Sequence, residues 1–241
     1  SMNGQVIGNL LKETPTGKFA NAWRSALDKS GLKEEESSTG FNLAMAVKDE
    51  DEILSMKKTA LLSSKAMKKF ARRMWGIIDE DNDKVKHSQL AGEIESNIDE
   101  PSKMGSSNLD EAACESVVTS VQSGSGCKLS RNEALDKEEE NLSYDNIVCQ
   151  FAARYESYNA NIARTYFVNA PKCVEKAYLL LLEVQQVCLS AMKHGHQIKS
   201  VYLAAKSHIE MHGKELLQYF TPNCGTGIGI MLRDPSHVLS H

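Results

Sequence analysis

The feature that most restricts how this chain can fold is a long amphipathic segment at residues 49–79. Apolar side chains recur there every three or four residues, which is the period of an α-helix. At about 100° per residue they fall on one face of the helix. The residues on that face are Ile53, Met56, Ala60, Met67, Phe70, Met74 and Ile78. The pattern therefore predicts one long helix with a buried side.

The opposite face of this predicted helix is basic. No acidic residue occurs within 65–73, and the cations there are Lys65, Lys68, Lys69, Arg72 and Arg73. Charged side chains usually lie where a chain meets water, so a solvated face is the favoured interpretation. Contact with an acidic partner or with DNA is the alternative that the same charges allow.

The rest of the chain mixes helices with strands that pair locally. Runs of β-branched and apolar residues indicate strands, with a hairpin where two runs flank a polar middle at 154–161. Apolar periodicity, opened by Pro or closed by Gly, indicates helices. The predicted strands are 115–122, 147–153, 162–168 and 225–232, and the predicted helices are 87–98, 171–193 and 198–212. Because the two types do not alternate strictly, we expect an α+β fold with a mainly antiparallel sheet.

Residues 1–46 show a separate pattern. A short strand at 5–11 and a helix at 17–31 precede a Glu- and Ser-rich loop at 33–40. A lone strand and helix before a linker are typical of what remains of a larger lobe. We therefore expect residues 1–46 to be the remnant of an N-terminal lobe with its linker, and residues 47–241 to form an incomplete main domain.

Charge and hydropathy argue against two classes of protein. The chain has 28 Lys and Arg against 32 Asp and Glu, a net charge of −4, so no global positive field attracts nucleic acid. The longest apolar run ends before Glu183 and is far shorter than a bilayer-spanning helix requires.

Six cysteines without a CxxC pair argue against a zinc knuckle or a dense disulfide framework. We expect a protein of a reducing compartment with no membrane partner.

Two other patterns suggest chemistry that the sequence does not complete. His208 and His212 lie four residues apart on a predicted helix, but Glu210 points to another face, unlike the Glu of an HExxH zinc motif. A histidine pair on a surface helix is therefore favoured over half of a zinc site. The glycines within 225–229 open a predicted strand rather than a helix, which favours close backbone approach over a phosphate-binding loop.

A set of segments, taken in order, resembles a known family. The hairpin IVCQFAARYESYNANIARTYFV and the later GTGIG resemble the pita-bread metalloaminopeptidases and prolidases. More narrowly, the order VKDEDEI, KVKHSQLA, VQSG, ARYESYNANIARTY and TGIGIMLRD is similar to the N-terminal, peptidase-like domains of large FACT histone-chaperone subunits. The resemblance runs from about Val6 to the end of the chain. It implies a pita-bread fold, here truncated, in which helices lie on the outer face of a curved, mainly antiparallel sheet.

The resemblance also implies which residues stand where active members bind metal. Those enzymes hold two divalent ions with an Asp on the first hairpin strand, an Asp eleven residues later, the His of GHGIG and two later Glu. The corresponding residues here are Gln150, Asn161 and Thr226, with Arg233 at a second active-site His position, and the Glu segments are expected beyond His241. Two neighbouring cations need anionic oxygens to offset their repulsion, which amides do not supply. We expect no catalytic residue, no metal and no cofactor.

The function that the resemblance implies is binding rather than catalysis. It predicts an inactive aminopeptidase-like domain that binds histones, with H3–H4 favoured, in a nuclear chromatin-reorganising complex of transcription, replication and repair. The resemblance also implies an HMG-box small subunit, bound through regions outside this chain. An active metalloaminopeptidase with substitute ligands, and a scaffold for replication or transcription factors, remain as alternatives. Because histone tails are cationic, the expected contact is the acidic loop with Glu133, Asp136, Glu138, Glu139 and Glu140.

Overall fold

The computed structural model describes residues 5–10, 15–82, 84–124 and 140–240. The chain divides into two compact units, Ser1–Lys48 and Asp49–His241. None of the described helices combines the length and the apolar content that crossing a membrane requires.

The first unit contains two short strands and two helices. It consists of β1 (Val6–Asn9), α1 (Lys18–Ser30), β2 (Lys33–Glu36) and α2 (Ser38–Ala46). The two strands pair in parallel, with Val6 opposite Lys33 and Asn9 opposite Glu36. The predicted loop at 33–40 is therefore wrong. Its Glu- and Ser-rich composition favours a loop locally, but the Lys33 N–H donates to the Gln5 carbonyl at 2.9 Å and pairing with a distant segment overrides that preference.

The second unit is built on a three-stranded antiparallel sheet. Its strands are β3 (Cys114–Ser123), β4 (Asn146–Tyr155) and β5 (Tyr158–Phe167), in the order β3-β4-β5. A two-residue turn joins β4 to β5, and both of its residues, Glu156 and Ser157, have positive φ. The polar middle predicted at 154–161 is therefore mostly strand. Polar residues are compatible with a strand whose two faces differ in solvent exposure.

Helix α3 (Glu50–Asp79) lies against this sheet, which confirms the long helix. It begins with a capping box, in which Asp49 accepts from the Glu52 N–H at 2.9 Å and Glu52 accepts from the Asp49 N–H at 2.6 Å. In the hydrophobic core, the Phe70 and Phe151 rings meet edge to face with centroids 5.2 Å apart. The core also includes Leu62, Met74, Ile77, Leu90, Ile94, Ile98 and Ile147.

The predicted buried face of α3 is wrong in its N-terminal half. Ile53 and Ala60 are exposed, whereas Ser55, Thr59 and Ser63 are buried. Hydrogen bonds to β5 explain why these hydroxyl residues are buried. The Thr59 hydroxyl donates to the Tyr158 carbonyl at 3.1 Å, and the Ser63 hydroxyl donates to the Ala160 carbonyl at 3.4 Å. A count of apolar residues does not detect a helix side that binds a strand through hydroxyl groups.

Helix α4 (His87–Asp99) confirms the predicted second helix, and a short 3-10 helix, Pro101–Met104, follows it. Contacts with α4 and the residues after it also correct the prediction that the basic face of α3 is a solvated face. Lys65, Lys69 and Arg73 are not simply solvated, because they donate hydrogen bonds to residues 93–106.

The C-terminal part contains α5 (Lys172–Ala191), α6 (Ile198–His212), β6 (Asn223–Gly227) and β7 (Asp234–Ser240). The two helices were predicted, and they pack around a second cluster with Val184, Ala205 and Ile209. The strand predicted at 225–232 ends at Gly227, because the next residues turn back, with the Gly229 N–H bonded to the Met231 carbonyl at 3.0 Å. The antiparallel partner β7 was not predicted.

Close backbone approach explains two of the glycines in β6. A Cβ at Gly225 would lie 2.7 Å from Leu239 Cδ1, and one at Gly227 would lie 3.1 Å from the Cβ atoms of Asp234 and His237. The interpretation of these glycines as points of close approach is thus confirmed at both positions.

Candidate functional site

Gln150 and Asn161 lie side by side on the β4–β5 hairpin. Gln150 is opposite Ala163 and Asn161 is opposite Ala152, so the two side chains are diagonal neighbours on one face of the sheet. The Gln150 Nε2 donates to the Asn161 Oδ1 at 3.2 Å. Gln150 is half-buried and Asn161 is exposed. The structure therefore joins these two predicted positions through a bond between neutral amides.

Thr226 lies in β6 opposite Val238, and the segment that follows it is tied to β5. The tie is made by Asn159, whose Nδ2 donates to the carbonyls of Gly229 at 3.1 Å and Ile230 at 2.6 Å. The Asn159 backbone N–H also donates to the Gly229 carbonyl, at 2.8 Å. These contacts bring the GTGIG segment to the beginning of β5, two residues from Asn161.

Asn159 is a residue that the sequence reasoning missed. It is 1% exposed, and its Oδ1 is buried without a hydrogen-bond partner among the described residues. Asn159 therefore holds the Gly229 and Ile230 carbonyls through its N–H groups alone. The only sequence signal is the alternation Asn159, Asn161 within the hairpin, which puts both amides on one side of the strand.

Arg233 is half-buried and immediately precedes β7. The next residue, Asp234, places its Oδ2 2.6 Å from Nδ1 of His237, and Gly227 is opposite Asp234 in the β6–β7 pairing. Burial acts to raise the pKa of the Asp234 carboxyl, but hydrogen bonds from Ser236 and His237 outweigh it and hold that pKa below its ordinary value. This acid–imidazole pair was not predicted, although its spacing of three residues is visible in the sequence.

The residues at the predicted ligand positions do not fit a two-metal centre. Carboxylates supply the anionic oxygens that hard divalent ions need, whereas amide oxygens are neutral. The Asn161 oxygen already accepts a hydrogen bond from Gln150. Within the described ranges, no group of three or more His, Cys, Asp and Glu could hold a metal ion. Gln150 and Asn161 can accept and donate hydrogen bonds, but they offer a divalent ion no anionic ligand.

The acidic loop falls mostly outside the described residues. Glu133, Asp136, Glu138 and Glu139 belong to the segment 125–139, which the structure does not describe. Glu140 is described, and its carbonyl accepts from the His87 N–H at 3.0 Å. Asn141 forms a bridge with Lys86. The C-terminal end of this acidic segment is therefore anchored at the start of α4.

His208 and His212 contribute to helix packing. Their ring centroids are 4.4 Å apart, and His208 Nε2 lies 3.0 Å from Glu183 Oε2, which links α6 to α5. His208 thus lies at a contact between two helices, and the exposed His212 ring lies beside it.

Comparison with known proteins decides the family. The model of metallopeptidase family M24 matches residues 54–241. The chain belongs to metallopeptidase family M24. Among curated proteins it is similar to the FACT complex subunit SPT16 of Oryza sativa subsp. japonica, with 35% identity over 95% of this chain and 22% of that protein. The SPT16 of Arabidopsis thaliana is 34% identical over 96% of this chain and 22% of its own length. The chain thus spans about a fifth of the length of these relatives.

Solved structures also show similarity to SPT16 proteins. The N-terminal domain of SPT16 from Cicer arietinum matches with a TM-score of 0.90 and 31% identity over 98% of this chain and 55% of that one. The corresponding domain from Eremothecium gossypii matches with a TM-score of 0.87 and 25% identity over 98% of this chain and 57% of that one. An X-Pro aminopeptidase from Thermotoga maritima, at 21% identity and a TM-score of 0.68 over 98% of this chain and 60% of that one, shows the fold alone. The predicted pita-bread fold, in partial form, and the resemblance to the SPT16 N-terminal domain are confirmed.

Proposed function

We propose that this chain is a non-catalytic M24 domain that binds histones within a nuclear FACT-type complex, which reorganises chromatin during transcription, replication and repair. The observation that carries the proposal is the Gln150–Asn161 hydrogen bond at 3.2 Å, because it replaces the paired carboxylates of a metallopeptidase by two neutral groups that satisfy each other. The similarity to SPT16 proteins supports the biological setting.

The absence of catalysis follows from electrostatics. An M24-type hydrolysis needs two cations that lower the pKa of a bound water, and those cations need carboxylate ligands. By the resemblance, Gln150, Asn161 and Thr226 stand at three of the ligand positions, and these three side chains carry no negative charge. By the resemblance, Arg233 stands at a further active-site position where active members have a His, and a cationic residue at that position disfavours metal binding.

Histones are the partners that charge complementarity favours. Their tails are cationic, and the segment 133–140 carries five acidic residues against one Lys. Glu140, the last residue of this segment, is described, and its carbonyl accepts from the His87 N–H at the start of α4. We infer that H3–H4 is the favoured histone pair, that the HMG-box small subunit is bound by regions outside this chain, and that replication or transcription factors are secondary partners.

A pull-down with a salt titration tests this function. The purified 241-residue chain is incubated with H3–H4 or with the other core-histone pair, and so is a variant in which Glu133, Asp136, Glu138, Glu139 and Glu140 are changed to Gln or Asn. We expect H3–H4 binding that weakens with salt, because exposed charges are screened over about 8 Å at physiological ionic strength, and that is lost in the variant. The control variant neutralises five exposed acids elsewhere: Asp79, Glu80, Glu95, Glu111 and Glu215.

Two outcomes would overturn the proposal. If the chain binds neither histone pair, the histone-binding role is wrong. If the acidic-segment variant and the control variant bind H3–H4 equally well, the acidic segment does not carry the contact.

A further inference from the structure

Six of the seven cations of α3 form two rows with different surroundings, and the seventh, Lys58, lies over the Tyr155 ring with its Nζ 5.0 Å from the ring centroid. The inner row consists of Lys65, Lys69 and Arg73, spaced four residues apart. The Lys65 Nζ donates to the Gly105 carbonyl at 2.9 Å and to the Ser106 hydroxyl at 2.7 Å. Lys69 binds the Asn97 side chain, and Arg73 forms an ion pair with Glu93 at 3.2 Å. This row fastens α3 to α4 and the turn after it.

The outer row consists of Lys57, Lys68 and Arg72. All three are exposed, and none has a hydrogen bond or an ion pair with another described residue. No acidic residue occurs in α3 between Glu52 and Asp79. The outer row therefore presents positive charge that the described part of the molecule does not neutralise.

Large apolar side chains lie between these cations. Leu54 is 51% exposed, Leu61 is 52% exposed and Trp75 is 71% exposed. At about 100° per residue, these three and the outer-row cations fall within an arc of about 60° on the helix. At 1.5 Å per residue the stripe is about 32 Å long. We call these six residues the α3 stripe.

We propose that the α3 stripe binds an acidic segment of a partner protein that carries large apolar side chains. Carboxylates of the segment pair with Lys57, Lys68 and Arg72, and its apolar residues cover Leu54, Leu61 and Trp75. Exposed apolar residues grouped on a charged surface mark interaction sites, and Trp and Arg contribute strongly to protein interfaces. Backbone phosphates of DNA would use the cations but gain nothing from the two leucines, so the mixed stripe favours a peptide.

The α3 stripe shares no residue with the proposed histone contact and has the opposite charge. Histone tails are cationic and are repelled by the outer row, whereas the acidic segment 133–140 attracts them. The two sets of residues therefore favour partners of opposite charge. The inference does not depend on histone binding, and either can fail without the other.

Fluorescence anisotropy with a defined probe tests the proposal. The probe is a labelled 20-residue peptide of Glu and Asp with Leu or Phe at every fourth position, and the protein is the purified 241-residue chain. We expect saturable binding that falls about tenfold in the triple variant Lys57→Gln, Lys68→Gln, Arg72→Gln, because three exposed ion pairs are lost together. Trp75→Ala should weaken binding about fivefold through lost apolar burial.

The matched control is the triple variant Lys172→Gln, Lys176→Gln, Lys199→Gln, which removes the same charge from exposed positions on α5 and α6. It should bind the probe like the parent. Equal loss in both triple variants would show a general charge effect and overturn the proposal. Binding that is unchanged when the Leu and Phe of the probe become Ser would also overturn it, as would displacement of the probe by a 20-base-pair DNA duplex with higher affinity.

Discussion

Asn159 and Asn161 are two residues apart on β5, yet they belong to two different regions of the hairpin. Asn159 is buried and binds the carbonyls of Gly229 and Ile230, so it holds the GTGIG segment in place. Asn161 is exposed and accepts a hydrogen bond from Gln150. The first amide maintains the fold, and the second stands at the predicted position of a metal ligand. The difference teaches that the residue that maintains this part of the fold is distinct from the residue at the predicted metal-ligand position, so the two can change independently.

The largest expected effect comes from Asn159→Ala. The change removes two hydrogen bonds and leaves the Ile230 carbonyl without this donor, so we expect a loss of about 2–3 kcal/mol in the free energy of unfolding. Urea denaturation measures it. Asn161→Ala is the matched control, and its effect should stay within about 0.5 kcal/mol, as is usual for an exposed residue. Equal losses in the two variants would show that the hairpin is not divided in this way.

A second prediction concerns the turn end of the hairpin at high pH. The Tyr158 hydroxyl donates to Glu52 at 2.5 Å, and this bond, with burial and the Glu52 charge, raises the pKa of Tyr158 to about 12. The folded protein thus holds the proton more tightly than the unfolded chain, whose pKa is near 10. The stabilising contribution is complete below pH 10 and is lost as the pH rises toward 12.

Tyr158→Phe isolates this effect. The variant should be less stable than the parent at pH 8, and the difference between them should shrink above pH 10, because the parent loses the bond there. Denaturation midpoints at a series of pH values measure it. A difference that stays constant from pH 8 to pH 12 would mean that the Glu52–Tyr158 bond does not set this pH dependence.

The smallest expected effect on stability comes from Gln150→Asp combined with Asn161→Asp. Two adjacent carboxylates repel each other, but the site is open to water, so we expect a loss of about 0.5–1 kcal/mol and an intact fold. We also expect no hydrolysis of X-Pro peptides, because Thr226 still stands at the His position. A peptidase assay with added Mn²⁺ checks this, and measurable turnover would show a more complete site than the described residues provide.

The sequence predicted what depends on local pattern or on matching motifs. Helix α3 has clear periodicity and was predicted within a residue of its ends. The family resemblance singled out Gln150 and Asn161, eleven residues apart on the hairpin, and the structure joins them. Strand β2 was missed because its strand character depends on pairing with β1, far away in the chain. The buried side of α3 was misassigned because Thr59 and Ser63 bind β5 through hydroxyls, which apolar counting ignores.

Parts of the site were missed for the same reason, because they depend on contacts between residues far apart in the sequence. Asn159 contacts residues about 70 positions away, at Gly229 and Ile230, and a single sequence gives no sign of that contact. The division of the α3 cations into two rows depends on where α4 and the following turn pack. Lys65 and Lys68 look equivalent in sequence, but only the first reaches the carbonyl of Gly105.

The proposal that this M24 domain lacks metal chemistry is tested most directly by its metal content and peptidase activity. The purified chain, incubated with Mn²⁺, Co²⁺ or Zn²⁺ and then freed of unbound ions by gel filtration, should be examined by elemental analysis and by assays with N-terminal Met and X-Pro peptides. The account predicts much less than one metal ion per chain and no turnover, because Gln150, Asn161 and Thr226 offer no anionic ligand. Two metal ions per chain together with peptide hydrolysis would contradict it.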